Sequence, residues 1–113
     1  MPSYPGSRAD PVKMGYKDPD AVLDYAVLWQ DWLAADETIL THTITSAEGL
    51  TVDSSNVNTT ELTEYDVVQK IGSVVTIWLS GGTAGIIYTV ACLITTSAGR
   101  TDERSFVIIV KNR

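Results

Sequence analysis

The sequence predicts an all-β protein, and three features predict it. β-Branched and aromatic residues gather in short runs at 38–46, 73–80, 86–96 and 105–111, a composition suited to a pleated, half-buried surface. Glycine, asparagine and serine punctuate these runs at regular intervals, as turns between short strands do. Only residues 21–33 fit a helical apolar repeat, and they fit a strand equally well.

Length and charge set the bounds. A chain of 113 residues has room for one domain and a tail. A domain this small buries only about 60–70% of its extended-chain surface, so it gains from partners. No apolar run reaches the roughly 18 residues of a membrane span, and the opening "MPSYPGSRAD" lacks a signal-peptide core. The expectation is a protein made in a cytoplasm, with no membrane partner. A net charge of −6 also argues against a nucleic-acid surface, which calls for a basic patch. The charges are unevenly placed. Residues 21–69 hold nine acids and no lysine or arginine, whereas 70–113 hold five bases and two acids. That opposition suggests a molecule that binds copies of itself, or a neighbour, head to tail.

Residues 1–20 contain all four prolines and no periodic apolar pattern, and are expected to form an extended arm ahead of a domain spanning 21–113. Within the arm, Tyr4, Met14 and Tyr16 are spaced as anchors that a partner could bury. In "AVLDYAVLWQDWL", a strand through Trp29 with a turn at Gln30-Asp31-Trp32 suits the strand-like sequence that follows. "TILTHTITS" (38–46) and "LTVDSS" (50–55) read as strands joined by "AEG", and "NVNTTELTEYD" (56–66) as a polar connection. "VVQKI" (67–71), "SVVTIWLS" (73–80) and "IIYTVACLITT" (86–96) follow. "SAGRTDER" connects to a last strand, "SFVIIVK" (105–111). Six or seven short strands make a β-sandwich.

The stretch "LSGGTAGIIYTV" poses a chemical question, because glycines before an apolar run can cradle a phosphate. A cradle needs backbone N–H groups at a helix start and a cation, yet no lysine or arginine lies between Leu79 and Thr96 and a strand follows. The preferred reading is a turn. The single cysteine, Cys92, lies among apolar neighbours and reads as a small core residue. The single histidine, His42, has no partner pattern, so the zinc constellations built from several Cys and His are excluded within the chain. Asp53 and Glu61 could pair as carboxylates, but acids in polar loops are usually solvated. Residues 53–66 lack the Asp-x-Asp-x-Asp-Gly spacing of a specific calcium loop. The Asn58-Thr59-Thr60 sequon matters only in a secretory pathway. No catalytic, cofactor-binding or metal-ligating residue is assigned.

"KDPDAVLDYAVLWQDWL", then "TI" and "GLTV", then "VTIWLSGGTAGIIYTVACLITTSAGRTDERSF" together resemble the phage fibre–tail adaptors, small structural proteins of tailed bacteriophages. The resemblance covers about Lys17 to Val110. It is densest at Asp18-Pro19-Asp20, Asp24-Tyr25, Trp29, Asp31-Trp32-Leu33, Trp78 to Gly85, Ile94 to Thr96 and Gly99 to Thr101. It implies an immunoglobulin-like fold and a virion component made in the bacterial host cytoplasm. Tyr88, placed after Gly85, suits a tyrosine that bonds back to its corner. Tyr88, Val90, Cys92 and Ile94 would then face inward opposite Phe106, Ile108 and Val110, with Trp29 and Trp78 as the large core side chains. The chain departs from the family pattern on the other face, where Ala91, Leu93, Val107 and Ile109 are apolar. A sheet apolar on both sides is covered on both sides.

The expectation is therefore a non-enzymatic adaptor at the neck or tail, forming homo-oligomers and contacting other virion proteins. Its contacts would run through Tyr4, Met14 and Tyr16 of the arm and through Leu93, Val107 and Ile109 of the outer face. A capsid decoration protein, or a module gripping host glycan through Trp32 or exposed tyrosines, is the alternative.

Overall fold

A computed structural model describes residues 13–64 and 66–112, apart from the side chains of Lys13 and Met14. Tyr4 lies outside the described residues. Nine strands account for the regular structure described: β1 (Lys13–Lys17), β2 (Leu23–Leu28), β3 (Ile39–Ser46), β4 (Leu50–Val57), β5 (Leu62–Glu64), β6 (Val67–Gln69), β7 (Val74–Gly81), β8 (Ile87–Thr96) and β9 (Thr101–Val110). Among the described residues there is no helix.

The strands form a four-stranded sheet of order β1-β9-β8-β3, a three-stranded sheet of order β2-β7-β4, and a small β5-β6 pair. β8 and β9 set the frame: ten residues each, paired antiparallel from Ile87↔Ile109 to Thr95↔Thr101. Because side chains alternate along a strand, this register puts Tyr88, Val90, Cys92 and Ile94 on the same side as Phe106 and Ile108. All are buried, and they share one core with Tyr25, Val27 and Trp29 before and after the end of β2, and with Val75, Ile77 and Leu79 of β7. The two larger sheets thus face each other across a single apolar layer. Tyr25 and Phe106 meet within it at a ring separation of 6.1 Å.

Three boundaries differ from the sequence reading. Residues 13–17, expected in the arm, form β1, which runs parallel to β9 in the register Lys13↔Phe106 to Lys17↔Val110. Pro11 and Pro19 flank a proline-free window just long enough for this short edge strand, where a missing donor is tolerated. Thr101–Arg104, expected in the connection, begin β9, leaving Ser97–Arg100 as the turn. Arg104 is the reason: its buried side chain covers a core tryptophan, as described below. The polar 56–66 stretch also contributes the end of β4 and all of β5.

Trp78 is the clear correction. It was expected in the core on account of its size, yet it is 39% exposed. Val75, Ile77 and Leu79 occupy the inner positions of β7, so alternation turns Trp78 outward, opposite Asp24 and Ser54. Register outweighs size. Elsewhere on that outer side, Leu62 packs over a second small cluster of Ala26, Leu28 and Val74. The β5-β6 excursion therefore covers one end of the sheet and leaves Trp78 uncovered.

Candidate functional site

The glycine corner meets a cation after all, supplied from far away in sequence. Lys17 at the end of β1 is fully buried, and its Nζ donates to the carbonyl oxygens of Gly81 at 2.7 Å and Asp18 at 2.8 Å, and more weakly to Pro19 at 3.4 Å. An ammonium has three hydrogens, and here all three point at backbone carbonyls. Burial lowers the Lys17 pKa, while Asp18, Asp20 and Asp53 act in the opposite sense. The corner thus presents the Gly81 carbonyl oxygen to an ammonium, the reverse of a phosphate cradle. Its geometry is fixed from other directions too. The Thr83 N–H donates to the Tyr88 hydroxyl at 2.8 Å, and the Gly85 N–H to Val110 O at 2.8 Å. A Cβ on Gly82 (φ +96°) would stand 2.8 Å from Val110 Cγ2, so this position requires glycine.

At the opposite end the two oppositely charged halves of the sequence meet within one molecule. Glu37 is buried and accepts from Arg100 Nε at 2.9 Å, Arg100 Nη2 at 2.5 Å, the Ala34 N–H at 2.9 Å and the Thr96 hydroxyl. The Arg100 hydrogen bond, followed by those of Ala34 and Thr96, holds the Glu37 carboxyl down at about 2. The same contact raises the Arg100 pKa. The Arg100 guanidinium lies 4.0 Å over the Trp32 ring, and Trp32 meets Trp29 edge-on at 5.6 Å. Arg104 covers Trp29 at 4.4 Å while donating to Leu28 O at 2.7 Å and to Asp31 at 3.3 Å. Lys70 donates to Ala34 O and Ala35 O. Planar guanidinium groups suit this dual task of stacking and bidentate bonding. Trp32, proposed above as a sugar platform, has a ring face occupied by Arg100.

The remaining chemistry-bearing residues have structural positions. Cys92 is fully buried, and burial pushes its thiol up to about 12, with the Trp29 indole and Arg104 acting in the opposite sense. A thiol so placed is not a nucleophile at neutral pH. Among the described residues the Trp29 indole N–H has no partner that meets hydrogen-bond geometry. His42 Nε2 lies 2.9 Å from Ser55 Oγ. Asn58 is buried: Oδ1 accepts from the N–H groups of Ser73 at 3.0 Å and Val74 at 2.9 Å, while Nδ2 donates to Thr60 O and Lys70 O. Its sequon amide is committed to the fold. Among the described residues no three His, Cys, Asp or Glu side chains gather as a metal site.

Of the anticipated contact residues, Tyr16, Leu93, Val107 and Ile109 lie on the outer side of the four-stranded sheet. Tyr16, Ile109 and Ile87 form one row across β1, β9 and β8, and Val107 and Thr89 belong to the next, where the backbone of Met14 is in register with Val107. Tyr16 is 46% and Ile87 62% exposed, while Val107 and Ile109 are half-buried by their neighbours. Leu93 stands farther along, exposed between Glu103 and Thr43. The register therefore unites Tyr16, Val107 and Ile109 and separates Leu93 from them. Sequence reasoning missed Ile87, whose outward position follows from an inward Tyr88. It also missed Lys17, Glu37, Asn58 and Arg104, since nothing local marks a polar residue that is buried by distant chain.

The architecture is an all-β body with two polar clusters that tie its ends together and apolar surface on its outer sides. The chain belongs to the family of podophage GP4 fiber-tail adaptor protein gp77, whose model matches residues 17–109. It is thus a phage structural protein of the tail-adaptor class. No curated protein matches the chain. The family match begins at Lys17, the residue that locks the glycine corner. The motifs that carried the resemblance fall at the two clusters: Asp18-Pro19-Asp20 with Gly81 to Gly85 at one end, and Trp29, Trp32, Thr96 and Arg100 at the other.

Proposed function

We propose that this chain is a non-enzymatic adaptor subunit of the neck or tail, with an immunoglobulin-like sandwich that docks through the outer side of its four-stranded sheet. The strand orders β1-β9-β8-β3 and β2-β7-β4, and the Tyr88 hydroxyl bonded at the corner, support the immunoglobulin-like reading. One observation carries the docking. Tyr16, Ile87, Val107 and Ile109 form a contiguous outward apolar patch, on a body whose core is already complete beneath it. A small protein does not leave such a patch in water without a use for it. Other virion proteins and copies of the same chain are its partners, neither membrane nor nucleic acid being required, and Tyr4 and Met14 of the N-terminal segment add anchors.

The test is the double variant Leu93→Glu with Ile109→Lys in an infection that supplies the protein from a plasmid. The purified variant keeps the β circular-dichroism spectrum and a cooperative melt, and is missing from assembled tails. Normal incorporation of the variant overturns the reading.

A further inference from the structure

Where the end of β2 meets the β5-β6 excursion, an open cleft of about 390 Å³ is lined by Leu28, Gln30, Asp31, Val67 and Gln69. We propose that this cleft is a binding site for a lysine or arginine side chain, presented on an extended segment of another virion protein. It lies at the edge of the three-stranded sheet, apart from the docking patch on the other large sheet. It rests on the tail-adaptor reading only for the source of its guest.

Gln30 builds the cleft. Both ends of its amide are used on β6 and the residue after it: Nε2 donates to Val68 O at 2.9 Å, and Oε1 accepts from the Lys70 N–H at 2.6 Å. These bonds hold β6 against the end of β2, while Leu62 of β5 packs on the cluster that contains Leu28. Gln69 behaves differently. It is only 5% exposed, yet its side-chain amide has no hydrogen-bond partner among the described residues. Val67 and Gln69, two residues apart, share the face of β6 that lines the cleft. A buried amide left without a partner costs free energy, and native structures satisfy nearly all such groups. Here the missing partner has an open way in.

Charge and shape select the guest. Asp31 Oδ1 accepts from Arg104 Nη2 at 3.3 Å, and the Asp31 side chain remains 43% exposed. A carboxylate offers about four acceptor sites, so Asp31 has room for further donors. Glu64, opposite Val67 in the β5-β6 pair and therefore on the same face, is half-buried and makes no hydrogen bond or ion pair among the described residues. The neighbouring bases are committed, Arg104 to Leu28 O and Asp31, and Lys70 to the carbonyls of Ala34 and Ala35. An anionic guest would meet these carboxylates, and the lining residues offer no aromatic face for a sugar. A basic side chain suits every wall. Its methylene stem lies on Leu28 and Val67, and its charged head donates to Asp31 and to Gln69 Oε1. The carbonyl of its own residue accepts from Gln69 Nε2, which makes the guest part of a chain rather than a free cation. An arginine fork uses two acceptors at once and fits better than lysine.

The test reads the cleft directly. N-acetyl-arginine methylamide is titrated into the isotope-labelled full chain and followed by NMR. Saturable shifts are expected at the Gln69 side-chain amide and at the backbone amides of Asp31 and Val67, with half-saturation on the order of millimolar. The lysine counterpart binds there more weakly, and the glutamate counterpart and methyl glucoside do not bind. Gln69→Leu separates a binding amide from a structural one. Removing an amide that has no partner leaves the melting temperature equal or higher, while probe binding weakens on the order of tenfold. Glu64→Gln also melts as the unmodified chain does and binds the probe severalfold more weakly. When Gln69→Leu and the unmodified chain are supplied together in an infection, the variant is under-represented in tails. The inference is overturned by an arginine probe that gives no saturable shift, or by equal binding of the glutamate or glucoside probe. It is equally overturned by a Gln69→Leu variant that melts lower, the amide then being structural, or by undiminished probe binding in both variants. The same shifts on concentrating the protein alone would make the occupant a second copy, and the inference would fall. If Gln69→Leu enters tails as often as the unmodified chain while Leu93→Glu with Ile109→Lys is lost, the docking reading stands and the cleft alone fails.

Discussion

The Glu37 carboxylate and the Arg100 guanidinium, 63 residues apart in the chain, meet at 2.9 and 2.5 Å with the Trp32 ring stacked on the arginine. Glu37 lies between β2 and β3, and Arg100 in the turn between β8 and β9. This pairing therefore ties a loop to the tip of the central hairpin.

That tie has a defined pH dependence. The folded-state pKa of Glu37 is about 2, below its ordinary 4.5. A depressed carboxyl contributes stability that is fully present above the unfolded value and is lost as pH falls through the folded one. Thermal stability should thus decline between pH about 4.5 and about 2, while Arg100, with its pKa raised, stays charged throughout. Glu37→Gln should melt lower than the unmodified chain at neutral pH and lose less over the acid window. Parallel melting curves for the two proteins across that window would assign the acid limb to other groups.

Asn58 makes a second prediction, about the β5-β6 excursion. Its side chain accepts from two consecutive buried N–H groups and donates to two carbonyls, one on each side of the excursion. Asn58→Ala leaves the Ser73 and Val74 amides unsatisfied, at about 1–3 kcal/mol each. A loss of ~2–6 kcal/mol is a large part of the 5–15 kcal/mol typical of a domain. Asn58→Asp, which keeps the acceptor but not the donors, should lose less. Urea midpoints give the ordering, and an alanine variant as stable as the unmodified chain would show that water replaces the side chain.

How much of this could be read from the sequence depended on distance along the chain. β3, β7, β8 and β9 were legible because β-branched runs and turn residues are local signals. The burial of Tyr88, Val90, Cys92 and Phe106 followed from period two once the corner tyrosine had fixed which face turns inward, since both faces of that hairpin are apolar. Trp78 shows the limit of reading by size, because the same alternation that buries Ile77 and Leu79 expels it. Lys17 and Arg104 show another limit. Each is a charged side chain buried by partners 64 and 76 residues away, and no local pattern announces such a partner. The opposite charges of the two halves were visible, but what they do was not. Much of that opposition is satisfied inside the monomer, at Glu37–Arg100 and Asp31–Arg104.

The last prediction concerns the N-terminal segment, and β1 decides where it must be cut. β1 pairs with β9 along all five of its residues, and the Lys111 N–H donates to Lys17 O at 3.0 Å. Tyr16 O accepts from the Tyr25 hydroxyl at 2.9 Å, and Lys17 holds the glycine corner. Deleting residues 2–12 leaves every one of these contacts in place. That variant should keep the β circular-dichroism spectrum and a cooperative melt, because β1 and its partners remain. Deleting residues 2–17 strips β9 of its β1 neighbour, takes Lys17 from Gly81 O and the Tyr16 carbonyl from the Tyr25 hydroxyl, and bares a ladder of backbone groups. Exposed edges of that kind pair with other chains, so this longer deletion should be less stable by several kcal/mol and should aggregate. The two deletions thus separate folding from assembly. If the segment before β1 supplies assembly contacts through Tyr4, the 2–12 deletion folds normally yet is missing from tails, and full-length protein in the particle resists a protease that trims the free protein ahead of Lys13. Incorporation of the 2–12 deletion at the normal level would show that assembly energy resides in the folded body alone.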